Sequence, residues 1–275
     1  MRTADKKSEV RTQKSEALAV LLMLGILAGG LGCQNAKDTQ NLQQGYGALD
    51  LKDYQRAIAA ADDYLQKHPT GNGAAEAAYL RGRAFEQRTK GSDAEAQANL
   101  REARASYEQV LTLMPSRQLE AYTRASLGNV AYWMNDFGAA EINWTSAYEK
   151  LEPGDLKAWV LYRTGLSQQR LGKWEAADDT FAQVEKEFPK SEPAARAASH
   201  QGARAFYVQV AAFSSPQPAE KLVATLRGQG YPVGRYEKKE KGLQLVMAGP
   251  LKRYDEAVVM RNRLGEQFRD AVIVP

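Results

Sequence analysis

The stretch Gly165-Leu-Ser-Gln-Gln-Arg170-Leu-Gly-Lys-Trp174-Glu-Ala-Ala177-Asp-Asp-Thr-Phe181-Ala-Gln-Val-Glu-Lys-Glu-Phe-Pro189 carries a spacing that returns three more times. Four prolines precede residue 190: Pro69, Pro115, Pro153 and Pro189. Twelve places before three of them stand Ala57, Ala103 and Ala177, and thirteen before Pro153 stands Ala140. Four residues beyond each Ala come Ala61, Tyr107, Trp144 and Phe181. Gly45 to Pro69, Gly128 to Pro153 and Gly165 to Pro189 span 24, 25 and 24 positions, so one unit is used four times. The second copy is longer. Gly82 to Pro115 is 33 positions, and its surplus falls in the polar stretch from Thr89 to Asn99, which should extend the helices or the turn.

Each unit reads as helix, turn, helix. The turns Leu51-Lys-Asp-Tyr54, Met134-Asn-Asp-Phe137 and Leu171-Gly-Lys-Trp174 pair polar turn residues with an aromatic that opens the second helix. Ala belongs where two helices cross, because axes about 8–10 Å apart leave no room for a large side chain. Trp144, Trp174 and Phe181 are expected to staple the helices together. Over about residues 38–190 the pattern resembles the tetratricopeptide repeat (TPR), a helix-turn-helix of about 34 residues. The resemblance implies a helical solenoid that binds protein partners on a concave face lined by first-helix residues. The candidates for that groove are Tyr79, Arg83, Tyr122, Asn129, Tyr132, Tyr162 and Gln169.

From Phe206 the period changes. Phe206-Tyr-Val-Gln-Val-Ala-Ala-Phe213 alternates, Pro218 to Arg227 has helical period, and Gly228-Gln-Gly230 stops it. An offset of 38 then maps Val208 to Val246, Phe213 to Leu251, Ala219 to Ala257, Leu222 to Met260 and Leu226 to Leu264. Two βαβ halves result, with Val272-Ile-Val274 as the last strand, giving a small α+β ferredoxin-like βαββαβ sandwich. The opening Tyr207-Val-Gln-Val-Ala-Ala-Phe213 and the later Ala248-Gly249-Pro250-Leu251 resemble the sporulation-related repeat (SPOR) domain, a peptidoglycan-binding module. That resemblance implies that the open sheet face holds glycan strands stripped of stem peptides, through Tyr207, Gln209, Leu243 and Leu245. Two departures stand out: family members often carry an aromatic and an Arg on the third strand, where this chain has Leu243 and Leu245, and a Ser where it has Ala212. An RNA-recognition module shares the fold, but it needs stacking aromatics on the two central strands, and Leu243, Leu245 and Met247 do not supply them.

The N-terminus reads as a targeting segment. Arg2, Lys6, Lys7, Arg11 and Lys14 precede the apolar run from Ala17 to Leu31, whose 15 residues fall short of a bilayer span. Gly30-Leu31-Gly32-Cys33 resembles a bacterial lipobox with its Leu one place late, which implies lipidation of Cys33 and a membrane anchor. An ordinary signal peptide beside a bystander thiol is the other reading. The expected domains are a signal peptide over 1–32, a TPR-like region over 33–203 and a SPOR domain over 204–275.

The whole chain, 275 residues, suits one or two folded units. With 44% hydrophobic and 25% charged residues it is ordinary globular usage, which excludes wholesale disorder and a multi-span membrane protein. One Cys excludes a disulfide framework. Cys33, His68 and His200 are too few for a Cys/His zinc site. Net charge is +2 over 1–32, −3 over 33–203 and +5 over 204–275. The last value is too small to demand nucleic acid. No nucleophile–base pair, phosphate loop or selected carboxylate pair occurs, so no catalytic residue, metal or cofactor is assigned. Two binding classes remain. One is an envelope lipoprotein adaptor joining membrane, protein partners and peptidoglycan, in the periplasm with the outer membrane favoured. The other is an assembly or secretion accessory whose SPOR-like domain binds protein.

Overall fold

The computed structural model describes residues 36–88, 91–238 and 242–275. Cys33 and the apolar run before it lie outside the described residues. Among the described residues nine helices come first: α1 (Ala36–Asp50), α2 (Tyr54–Lys67), α3 (Asn72–Gln87), α4 (Asp93–Thr112), α5 (Arg117–Trp133), α6 (Phe137–Lys150), α7 (Asp155–Arg170), α8 (Trp174–Glu187) and α9 (Glu192–Ala198). They form a TPR-like solenoid. The sheet region follows as β1 (Phe206–Phe213), α10 (Pro216–Gly228), β2 (Val233–Lys238), β3 (Leu243–Leu251), α11 (Tyr254–Gly265) and β4 (Val272–Val274).

The repeat register has a direct physical basis. Ala57, Ala103, Ala140 and Ala177 have no solvent exposure, and Tyr107, Trp144 and Phe181 are at most 1% exposed. Each aromatic lies on the glycine of the preceding helix. A Cβ on Gly128 would stand 2.3 Å from the Trp144 ring, and one on Gly82 or Gly165 would stand 2.5 Å from Tyr107 or Phe181. Glycine is therefore required for the two helices to close. Four core clusters follow one another, each built from the two helices of a repeat and the first helix of the next element. The last of them is closed by Ala194 and Ala197 of α9, which serves as the cap that a terminal repeat needs.

The turns also repeat. Lys52, Asn135 and Gly172 occupy the same turn position with φ of 62°, 62° and 74°. Asp53 and Asp136 then cap the second helices by accepting from the amides of Arg56 and Ala139. In the second repeat the surplus residues lengthen α4 to 20 residues against 14 in α2, α6 and α8. A Ser92–Glu95 capping box marks its new start, so the polar stretch extends mainly the helix.

The four strands form an antiparallel sheet in the order β2-β3-β1-β4. The halves mapped by the offset of 38 meet in one core: Val208 with Val246, and Leu226 with Leu264, each have no exposure. Ala219 and Ala257 are enclosed to the same degree where α10 and α11 cross the sheet.

One expectation needs correcting. Trp174 does not staple helices of the solenoid. It is half-buried, and its ring lies 4.9 Å from that of Phe206 in β1, while Phe137 of the preceding turn packs edge-on against Tyr254 at 5.2 Å. The reason is topological: these aromatics open α8 and α6 at the end of the solenoid that meets the sheet. Arg170 completes the contact with its guanidinium 4.0 Å from the Tyr254 ring centroid. The chain between the two parts is also pinned, since Gly202 donates to Asp178 and Arg204 pairs with the same carboxylate at 2.8 Å.

Candidate functional site

Strand alternation divides the sheet into two faces. Phe206, Val208 and Val210 of β1 and Gln244, Val246 and Ala248 of β3 are buried toward α10 and α11. Tyr207, Gln209, Leu243, Leu245 and Met247 are half-buried on the opposite face, which neither helix covers. All four residues expected to contact glycan therefore share one surface.

A fifth residue joins them from the edge strand. Tyr236 of β2 pairs in register with Leu245, and its ring meets that of Tyr207 edge to face at 5.5 Å. Burial, followed by the neighbouring Tyr207, pushes the Tyr236 phenol above its ordinary pKa. Sequence reasoning considered aromatics on the first and third strands only. The signal was present in Val233-Gly-Arg-Tyr236-Glu-Lys238, where alternation from buried Val233 places Tyr236 and Lys238 opposite the core. The Gly-Pro motif has a place in this arrangement too. A Cβ on Gly249 would come 2.8 Å from the Tyr207 ring and 2.9 Å from the Phe206 carbonyl, and its φ is +141°. Gly249 thus lets the Tyr207 ring lie down on β3.

The groove candidates on the solenoid divide into three groups. Tyr79, Tyr162 and Gln169 are buried. Tyr79 packs against Tyr107, whereas Tyr162 and Gln169 hold His200: Gln169 donates to the His200 carbonyl and accepts from Nδ1, and Nε2 faces the Tyr162 hydroxyl. Arg83 and Asn129 belong to polar contacts along the first helices. Arg83 donates to the Tyr79 hydroxyl, and Asn129 donates to Glu86 and accepts from Arg163. Tyr122 and Tyr132 are half-buried, the former accepting from Gln118 and the latter from Arg170.

The sheet face and the end of the solenoid border one cavity of about 1510 Å³. Tyr207, Gln209, Tyr236, Leu245 and Met247 line one side, and Tyr132, Trp159 and Tyr162 line the other. Leu243 lies on the same face but outside this lining. Rings on both walls, with amide and hydroxyl donors between them, suit a ligand that presents apolar faces and polar edges together. No group of His, Cys, Asp and Glu that could hold a metal ion occurs among the described residues.

A TPR-like solenoid ending in a small four-stranded sheet with an open, aromatic face defines a binding protein of modular type. Comparison with known families agrees. Residues 202–275 match the SPOR domain, residues 159–191 the tetratricopeptide repeat, and residues 33–153 the family described as outer membrane lipoprotein. These families are binding and adaptor modules, and none of them is catalytic. No curated protein matches the chain. Among solved structures, YrrB, a TPR protein with an unusual peptide-binding site, is similar at 19% identity and a TM-score of 0.44, covering 58% of this chain and 75% of its own. TTC0263, a TPR protein of Thermus thermophilus, is similar at 13% identity and a TM-score of 0.38, covering 59% and 98%. Among the described residues no helix is long and apolar enough to cross a membrane.

Proposed function

We propose that the chain is an envelope adaptor that holds peptidoglycan at one end and protein partners along its repeats, in cell division or envelope organisation. Residues 1–32 act as a signal peptide, and Cys33 carries the lipid anchor. Residues 33–203 present the partner-binding solenoid, and residues 204–275 bind glycan strands stripped of stem peptides. A single acyl chain anchors only marginally, at about 0.8 kcal/mol per buried CH₂, so stable attachment needs the two or more chains of a bacterial lipoprotein. Gln34 follows the Cys where many inner-membrane lipoproteins have Asp, which favours the periplasmic face of the outer membrane.

The observation that carries the glycan reading is the Tyr207–Tyr236 pair beside Gln209 on a sheet face that the domain's own helices leave uncovered. The rings offer apolar surface to pyranose faces, and the Gln209 amide can pair with sugar hydroxyl and N-acetyl groups. Sedimentation of the full chain with sacculi, amidase-treated and untreated, tests it. Enrichment with the treated sacculi is expected, and a chain that stays in the supernatant with both overturns the reading. Palmitate labelling that persists in Cys33→Ser would sink the anchor.

A further inference from the structure

The cavity beneath the sheet face has a second wall with a charge pattern of its own. Trp159 of α7 is flanked by two guanidinium groups, those of Arg196 and Arg163, at 5.1 and 5.8 Å from its ring centroid. From the sheet side, Lys238 lies on the same strand face as Tyr236 and borders the same space. Of the described charged side chains that line the cavity, seven are Lys or Arg and two are Asp; Arg253 and Asp255 hold each other, and Arg196 pairs with Glu192. A neutral sugar polymer brings no counter-charge to this cationic lining.

A stripped glycan strand does. Hydrolysis of the amide that joins a stem peptide to its sugar leaves a lactyl carboxylate on every second residue, so the strand becomes a regularly spaced polyanion. On an unstripped strand the same carbon is a neutral amide carrying a peptide. The cavity volume, about 1510 Å³, also exceeds the roughly 300–1,000 Å³ of ordinary small-molecule pockets, as a polymer segment requires.

We infer that the glycan site continues from the sheet onto the end of the solenoid, where Arg196 and Lys238 bind the free carboxylates of a stripped strand from opposite walls. This rests on the sheet-face reading above and deepens it, because it makes selection for stripped strands a matter of charge shared between the two modules. Arg196 pairs at 2.7 Å with Glu192, one turn away on its own helix and exposed, and a surface pair of this kind is weak enough for a ligand carboxylate to replace. The aromatic contact of Trp174 and Phe137 with Phe206 and Tyr254 holds the two walls in position, so the ligand need not assemble them.

The test is sedimentation of the full chain with amidase-treated sacculi, comparing wild type with Arg196→Ala, Lys238→Ala, Arg196→Lys and Tyr207→Ala, with melting curves to establish folding. Each Ala replacement of a cation should weaken binding about three- to tenfold, with Arg196→Lys retaining most of it. Converting the strand carboxylates to neutral methylamides should weaken the wild type by as much and erase the difference between it and the cation variants. If both cation variants pellet as well as wild type while Tyr207→Ala does not, the solenoid wall is no part of the site and the sheet reading stands alone. If methylamidation leaves wild-type binding unchanged, the carboxylate is not what is recognised. If the wild type itself does not pellet, the sheet reading falls and this inference with it.

Discussion

The ring of Trp174 lies 4.9 Å from that of Phe206 and, with Tyr254, reduces the exposure of Phe206 to 1%. A residue at the mouth of a sheet's core is thus sealed by a residue of the solenoid. The two parts share hydrophobic surface and are expected to unfold as coupled units. Trp174→Ala should remove a half-buried ring and an aromatic pair together, at roughly 1–3 kcal/mol. The expected result is a lower melting temperature for the sheet region and faster limited proteolysis between residues 199 and 205. Unchanged cleavage in that segment would count against a docked arrangement.

Glycines inside helices separate packing from propensity. Gly128 faces the Trp144 ring so closely that Gly128→Ala forces one helix off the other, with an expected loss of about 1–3 kcal/mol. Gly47 in α1 has nothing within 4 Å of an added Cβ, so Gly47→Ala should stabilise by about 0.5–1 kcal/mol. Chemical denaturation of the two variants gives opposite shifts if the repeat register is right.

The enclosed Ala at each crossing supplies the parallel test. Ala177 has no exposure, and Ala182, five residues later on the same helix, faces solvent. Ala177→Leu should overpack the crossing by roughly 1–3 kcal/mol, and Ala182→Leu should change stability little. Equal melting temperatures for the pair would contradict the assigned register.

The repeat register was legible because a helix crossing imposes it locally: Ala103, Ala140 and Ala177 must be small, and the aromatic four places on must reach the glycine of the preceding helix. The sheet halves were legible for the same reason, since alternation and an offset of 38 place Val208 and Val246 in one core. The contacts between parts were not. Trp174 and Phe137 sit at the same turn position as Tyr54, and nothing local distinguishes an aromatic that docks a distant strand from one that packs within its own repeat. Tyr236 is hidden for a different reason: the motif residues that carry the resemblance lie on β1 and β3, and β2 alternates over only six residues at the sheet edge.

His200 links the solenoid cap to its stability at low pH. It is largely buried, and burial, followed by the positive charges of Arg170 and Arg196, lowers its pKa from 6.5 to about 4. Gln169 Nε2 donates to the His200 carbonyl, which turns Oε1 toward Nδ1, so Nδ1 carries the proton and Nε2 accepts from Tyr162. The folded pKa lies below the unfolded one, so the unfolded chain binds the extra proton. The stability is present above about pH 6.5 and is lost as pH falls toward 4, by at most about 3 kcal/mol from this group. His200→Gln should flatten the stability profile across that window. A slope identical to that of wild type would remove His200 as its source.

Tyr236 and Tyr207 form the part of the sheet face that most resembles a sugar platform, and they come from strands separated by β3. Their edge-to-face geometry leaves each ring partly exposed, so a pyranose can lie on one ring while the other borders it. Tyr207→Ala and Tyr236→Ala should each lose a ring contact, and Gln209→Ala a small set of hydrogen bonds at about 0.5–1.5 kcal/mol each. Either class of change should weaken sedimentation with amidase-treated sacculi several-fold with the domain still folded, the Tyr variants melting slightly lower through the lost ring pair and Gln209→Ala unchanged, because none of the three belongs to the core cluster under α10 and α11. Gly249→Ala makes the complementary variant. Its Cβ would strike the Tyr207 ring and the Phe206 carbonyl, so binding should fall along with some stability, whereas Gln209→Ala lowers binding alone. If Tyr236→Ala binds like wild type while Tyr207→Ala does not, the ligand track runs along β1 and away from the edge strand. If neither change matters, the face does not bind glycan.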